Sequence, residues 1–192
     1  VQQRTPEWFA MRSNKLSGSK LSALLYLRSD YERQALHMQI ARGIRADPLS
    51  ADGQRNCAWG VQHEPDAIKH VLNHLPGSWV FDCGFHVHPS VGMQWLGSSP
   101  DGLLYCPAVA GYDLAVLECK CPAKRNSEGR TVAYAAVPPY YIPQCYFHMR
   151  TVRNCTVCVF ACWSETGSRL WRIDFDAETW MSIFEYVTDF LA

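Results

Sequence analysis

The chain has no excess of charge. Its 192 residues carry 18 Lys and Arg against 18 Asp and Glu, a formal net charge of zero. That excludes a protein that coats nucleic acid by bulk electrostatic attraction, but not one that handles it through local fields. No apolar run approaches the roughly 20 residues of a membrane-spanning helix. There is no internal repeat and no low-complexity tract, so a single folded unit over residues 1–192 is expected. A disulfide framework is lacking too: the nine cysteines are odd in number and follow no framework spacing. No signal-peptide pattern opens the chain, and its start at Val1 reads as an excised or trimmed domain. Together these favour a reducing, intracellular compartment, with nucleus and cytoplasm left open.

What is present is enough apolar material for a proper core: 48% of residues are hydrophobic and only 19% charged. The zero balance also hides a pattern. Residues 1–47 carry eight basic and four acidic side chains (+4), and residues 48–118 two and seven (−5). Residues 119–153 carry six and one (+5), and residues 154–192 two and six (−4). Two basic segments folded around an acidic one would set a phosphate site beside a metal site; random surface scatter is the plain alternative.

The element pattern is helices, several strands, a helix, two strands and a helix, an α/β (α+β) domain with a central mixed sheet flanked by helices. Thr5-Pro6-Glu7 reads as a helix start with Thr5 as N-cap. Short helices are expected over 20–26 and 31–42, then a loop over 43–56. A helix over 58–75 has Val61, Ile68, Val71, Leu72 and Leu75 as its apolar stripe. Strands are expected at 79–88, 93–97, 103–106 and 114–121. A helix over 140–152, a hairpin of 155–163 with 169–175, and a last helix from its cap at Asp176 to Leu191, with Trp180, Ile183, Phe184, Val187 and Leu191 inward, complete the chain.

Glu64 falls on the apolar face of the fourth helix, three residues after Val61 and four before Ile68. A carboxylate there is costly unless paired, protonated or bound to a cation; an ion pair at the helix edge would account for it. Ser99-Pro100-Asp101-Gly102 has the residues of a type I turn. The strand that follows, Ala115-Val116-Leu117-Glu118-Cys119-Lys120-Cys121, places Glu118 and Lys120 on one face, with Leu117, Cys119 and Cys121 on the other. Pro-Asp, then Glu-x-Lys, offers two carboxylates and a peptide carbonyl to a hard divalent cation, with a lysine beside it for the attacking water.

These residues resemble the lambda exonuclease / YqaJ branch of the restriction-endonuclease-like PD-(D/E)xK nucleases, which includes viral alkaline exonucleases. The likeness runs from about Arg4 to Trp171. It is carried by Trp8-x-x-x-Arg12 with Leu16-Ser17-Gly18-Ser19, Trp59-Gly60-x-x-x-Glu64-x-x-Ala67, Gly97-x-Ser99-Pro100-Asp101-Gly102-Leu103, Leu117-Glu118-Cys119-Lys120-Cys121-Pro122, and Tyr141-x-x-Gln144 with Met149. Each motif is short; five in order are specific.

The resemblance implies a Mg²⁺-dependent 5′ to 3′ exodeoxyribonuclease acting on linear duplex DNA from 5′-phosphorylated ends, in recombination or genome processing, with Mn²⁺ able to substitute. Asp101 and Glu118 would hold the metal with the Cys119 carbonyl, Glu64 would support it directly or through water, and Lys120 would position and activate water. Gln144 would orient the nucleophile or a nearby strand, and Arg12, Ser19 and Ser99 would hold the 5′-phosphate. Arg suits that task because its planar fork matches phosphate oxygens. The implied partners are DNA ends and a single-strand annealing protein, and the implied assembly is a monomer or a ring-shaped homotrimer. Three departures stand out: Tyr146 replaces a second Gln, Pro143 precedes Gln144, and the loop from Asp101 to Glu118, with Pro107 and Gly111, is expected to be longer than in compact relatives.

Other readings stay open. An endonuclease or RNA-degrading enzyme would use the same metal core with a different end pocket. A DNA-end-binding module without turnover would have no need of Lys120. Cys155-x-x-Cys158-x-x-x-Cys162 resembles part of a zinc site, but Cys155 and Cys158 would face opposite sides of a strand, and buried core cysteines are the expectation. His86-x-His88 reads as a surface or satisfied pair. Lys124, Arg125 and Arg130 form a basic loop that either touches a DNA backbone or is simply solvated.

Overall fold

The computed structural model describes the chain except residues 14, 26–28, 43–47, 108–112, 154 and 192, and leaves the side chains of residues 41 and 191 aside. The expected end of the second helix at Tyr26, the start of the 43–56 loop, Gly111, and the inward Leu191 side chain therefore lie outside the described residues.

Helix α1 (Pro6–Arg12) begins as expected, with Thr5 Oγ1 accepting from the Trp8 N–H at 3.3 Å. Strand β1 (Leu16–Ser17), a 3₁₀ turn (Gly18–Lys20) and α2 (Leu21–Leu24) lead to α3 (Asp30–Arg42). Helix α4 runs from Ala51 to His74. It takes in residues 51–56, expected to be loop, because Ser50 caps it: its Oγ accepts from the Gly53 N–H at 3.1 Å. Strands β2 (Trp79–Phe81), β3 (His86–Val87), β4 (Leu96–Ser98), β5 (Gly102–Tyr105) and β6 (Leu114–Lys120) follow. A 3₁₀ turn (Pro139–Tyr141) opens α5 (Ile142–Thr151), which puts Pro143 in the first turn, where its missing N–H costs nothing. Strands β7 (Val157–Ser164) and β8 (Gly167–Asp174) form the expected hairpin, and α6 (Ala177–Leu191) closes the chain. No helix among the described residues is long and apolar enough to cross a membrane.

Where one mixed sheet was expected, the strands divide into two. Three short strands pair in the order β1-β4-β3, and five in the order β2-β5-β6-β7-β8. The single strand expected over 79–88 is split between them, since β2 pairs with β5 and β3 with β4. Strands β6 and β7 are parallel, flanked by antiparallel partners. Such central strands are covered on both faces and read as nearly continuous apolar runs, as β6 and β7 do.

The two faces separate two cores by strand parity. Leu117, Cys119, Val159 and Ala161 pack with Ala67 and Val71 of α4. Val116, Cys158, Phe160 and Cys162 pack with α2, α5 and α6. Cys155 precedes β7 and joins this second core rather than the opposite face; all three cysteines are buried. Among the described residues no three His, Cys, Asp or Glu side chains form a ready metal-binding group.

Candidate active site

Strand β6 carries the site through its parity. Glu118 points to the face covered by α5 and is 1% exposed. Gln144 and His148, four residues apart on one stripe of α5, point back at it. Gln144 Nε2 donates to Glu118 Oε1 at 2.6 Å, and His148 Nε2 lies 2.8 Å from Glu118 Oε2. Lys120, two residues on along the same face, also donates to Oε1 and forms an ion pair with the carboxylate. Its ammonium sits 4.8 Å from the centre of the Tyr141 ring.

Asp101 stands where β5 begins, across from the end of β6. Its N–H donates to the Leu117 carbonyl at 3.0 Å, and its Oδ2 accepts from the Cys119 N–H at 2.7 Å. A strand residue turns its N–H and C=O to the same side, so the Cys119 carbonyl also faces the Asp101 side. Glu64 arrives from α4 on the opposite face and pairs with Arg4 at 2.5 Å. Val61, one turn earlier, is 47% exposed and lines the cleft instead of the core. The stripe expected on this helix therefore begins only at Ala67.

The electrostatics follow from this crowding. Burial raises the Asp101 pKa, the Glu118 charge raises it further, Lys120 offsets part, and Glu64 adds to the rise. Burial alone would also raise Glu118, but Lys120 and then His148 outweigh it and hold the carboxyl well below the usual range. Burial would lower Lys120, but the Glu118 and Asp101 charges override it and keep the ammonium charged. A carboxylate held ionised beside one whose ionisation it opposes makes an oxygen site that favours a cation. With the Cys119 carbonyl, this donor set is hard and fits a divalent ion of the magnesium class. In the structure, Arg4 and Lys120 supply the balancing positive charge.

Above these groups lies a cleft of about 810 Å³, lined by Glu64, Asp101 and Lys120, by Lys124 from the basic loop, and by Tyr134 and Tyr140. Of that loop, Arg125 turns to Glu165 at 3.1 Å and Arg130 to Glu128 at 2.5 Å, so only Lys124 reaches the cleft.

A second cluster adjoins. Arg12 lies 3.3 Å from Ser19 Oγ and 3.5 Å from Ser17 Oγ, and its guanidinium stacks 4.0 Å from the Trp8 ring centre. The Trp8 Nε1–H donates to Ser99 Oγ at 2.8 Å. No carboxylate pairs with Arg12 among the described residues; burial lowers its pKa, and lowers that of Lys20, which also feels Arg12. A desolvated, unpaired guanidinium beside three hydroxyls is an anion site in waiting. Gly18 joins the clusters: a Cβ there would sit 3.4 Å from Gln144 Cγ and 3.6 Å from His148 Cε1.

The residues proposed from the sequence for the metal, the water and the 5′-phosphate thus fall in two adjoining clusters, whereas Arg125, Arg130 and the three cysteines of 155–162 lie outside them. Sequence reasoning missed Arg4, Ser17, Trp8 and His148. The i to i+4 spacing from Gln144 could have found His148, and Ser17 sits inside a quoted motif. Nothing local marks Arg4, which reaches Glu64 across 60 positions.

Pro-Asp and Glu-x-Lys on adjoining antiparallel strands, with a glutamate from the helix behind, define a PD-(D/E)xK nuclease fold. Within that class the chain belongs to the YqaJ-like viral recombinase domain family, whose model matches residues 7–156. Two solved structures are similar over nearly the whole chain. LHK-Exo in complex with dAMP shares 25% identity at a TM-score of 0.69, covering 97% of this chain and 91% of that one. The alkaline exonuclease LHK-Exo from Laribacter hongkongensis shares 24% at a TM-score of 0.70, with the same coverage. No curated protein matches the chain.

Proposed function

We propose that the protein is a Mg²⁺-dependent exodeoxyribonuclease that hydrolyses linear duplex DNA from a 5′-phosphorylated end, moving 5′ to 3′, in recombination or genome processing. The observation that carries this reading is the adjacency of the two clusters. An unpaired Arg12 among Ser17, Ser19 and Ser99 adjoins the Asp101, Glu118 and Lys120 centre through Gly18. An endonuclease has no use for an end pocket so near its cleavage centre. The similar structure that holds dAMP, a nucleoside monophosphate, favours a mononucleotide product.

Asp101, Glu118 and the Cys119 carbonyl would hold the ion, with Glu64 in support. When bound, a divalent ion polarises the phosphodiester and lowers the pKa of water. Lys120, held charged by Glu118, acts as a donor: it orients the attacking water and steadies charge developing on the phosphate oxygens. Gln144 keeps Glu118 turned toward the centre. Arg12 and the three serines grip the terminal phosphate and so set which bond meets Lys120. Tyr134, Tyr140 and Tyr141 offer aromatic faces along the cleft to the strand.

The test is digestion of duplexes bearing or lacking a 5′-phosphate, with Mg²⁺ or with a chelator. Metal-dependent release of mononucleotides from the phosphorylated end is expected. Degradation that proceeds in the chelator, or products that begin at the 3′ end, would refute the reading.

A further inference from the structure

We propose that His148 is a positioning residue of the nuclease centre: its Nε2–H fixes the rotamer of Glu118 and leaves a single oxygen lone pair free for the metal. The inference rests on the function proposed above and adds a residue that the recognisable motifs do not contain.

A carboxylate offers about four lone-pair sites. Glu118 Oε1 accepts from both Lys120 and Gln144, and Oε2 faces His148 Nε2 at 2.8 Å. That leaves one site, on Oε2. Rotation of the carboxylate would break three charge-assisted bonds inside the protein, where Glu118 is 1% exposed. The tautomer follows from the neighbours. An ionised Glu118 Oε2 can only accept, so the 2.8 Å contact places the imidazole proton on His148 Nε2; the Gln144 amide nitrogen, 3.3 Å away, is itself a donor and does not take that proton. The ring's Nδ1 is buried without a partner among the described residues.

That orphan nitrogen is the telling feature. Burying an unpaired polar atom is costly, and a leucine or methionine would fill the same space without it. Among the described residues Glu118 is the one side-chain acceptor the ring meets, and the unpaired Nδ1 is tolerated to keep that bond. His148 is held for this by its place one turn after Gln144 and by Gly18, whose backbone packs beside the ring edge.

The test compares the full chain with His148→Leu, His148→Gln and His148→Asn. Mn²⁺ binding without DNA is read by electron paramagnetic resonance, and kcat and KM are measured on a 5′-phosphorylated duplex. Loss of a hydrogen-bond partner to a metal ligand costs about ten- to a hundredfold in metal affinity or activity. His148→Leu should lose that much in Mn²⁺ affinity and kcat, with KM for DNA ends changed by less than about twofold, because the end pocket is untouched. Gln places an amide nitrogen near the Nε2 position and should recover most of the loss; Asn, one carbon shorter, should not. An unchanged Mn²⁺ affinity and kcat in His148→Leu overturns the inference, as does equal loss in Gln and Asn. If His148→Leu fails to fold, the contrast between Gln and Asn decides. A wild-type chain that neither binds Mn²⁺ nor degrades DNA overturns the proposed function itself, whereas an active wild type with an indifferent His148→Leu overturns this inference alone.

Discussion

Arg12→Ala should abolish the distinction between phosphorylated and unphosphorylated DNA ends while leaving the cleavage chemistry in place. The guanidinium lies within reach of Ser17 and Ser19, is stacked on Trp8, and has no carboxylate partner among the described residues. Its burial has already removed part of its water, so a phosphate meets a cation that is short of ligands. A hydrogen bond to a charged group contributes about 1.5–3 kcal/mol. At 1.4 kcal/mol per factor of ten, losing one such contact should lower kcat/KM on a 5′-phosphorylated duplex by about 10- to 150-fold. On a 5′-hydroxyl duplex the same variant should change little, since the contact is absent from the start. Arg12→Lys should fall between, because it keeps the charge but loses the planar fork and the stacking. The assay is the initial rate of mononucleotide release from the two duplexes, taken as a ratio. An equal fall on both substrates would mean that Arg12 supports the fold around Trp8 and not the phosphate. No fall on either substrate would remove the end pocket from the account altogether.

Lys120→Met should lower kcat by about 10²–10⁴, the usual range for a group that orients or transfers protons, with KM nearly unchanged; single-turnover rates at saturating enzyme test this. Arg4→Ala should raise Mn²⁺ affinity in the absence of DNA, because the ion no longer competes with the guanidinium paired to Glu64; a weaker affinity would make Arg4 a support for the site. Gly97→Ala should destabilise the protein by about 1–3 kcal/mol in urea unfolding, since the new Cβ would lie 2.3 Å from Phe85 Cζ. Phe160→Ala, at a fully buried position on β7, should cost about 3–5 kcal/mol in the same assay.

Much of the site was legible because its residues are local. Asp101 is marked by a turn motif, and Glu118 with Lys120 by an alternation within one strand. Helix starts with a side-chain cap, such as Thr5, were equally plain. Ser50 was not, because Gly53 and Asn56 in the first turns disguise a helix whose stability comes from packing against β6 and β7. Val61 was read into the core by periodicity, but there Trp59 and His63 are the residues turned to Trp163 of β7, and Val61 lines the cleft. The division into two sheets depends on β1 pairing with β4 across about 80 positions, and no local pattern encodes a pairing that distant. Arg4 was missed for the same reason, since it gains its meaning from a carboxylate 60 positions away, whereas His148 had a local signal in its spacing from Gln144. The opening charge pattern does have a structural counterpart: Glu64 and Asp101 of the acidic segment and Lys120 of the second basic one line a single cleft, Glu118 pairs with Lys120 there, and Arg12 of the first basic segment lies in the adjoining cluster.

The central claim is metal-dependent hydrolysis from a DNA end, and one measurement reaches it most directly. Wild-type protein and Lys120→Ala are each incubated with Mg²⁺ and an equal mixture of linear 5′-phosphorylated duplex and covalently closed circle. The wild type should consume the linear DNA to mononucleotides and leave the circle intact, and Lys120→Ala should leave both. Equal loss of the circle, or undiminished digestion by Lys120→Ala, would contradict the account.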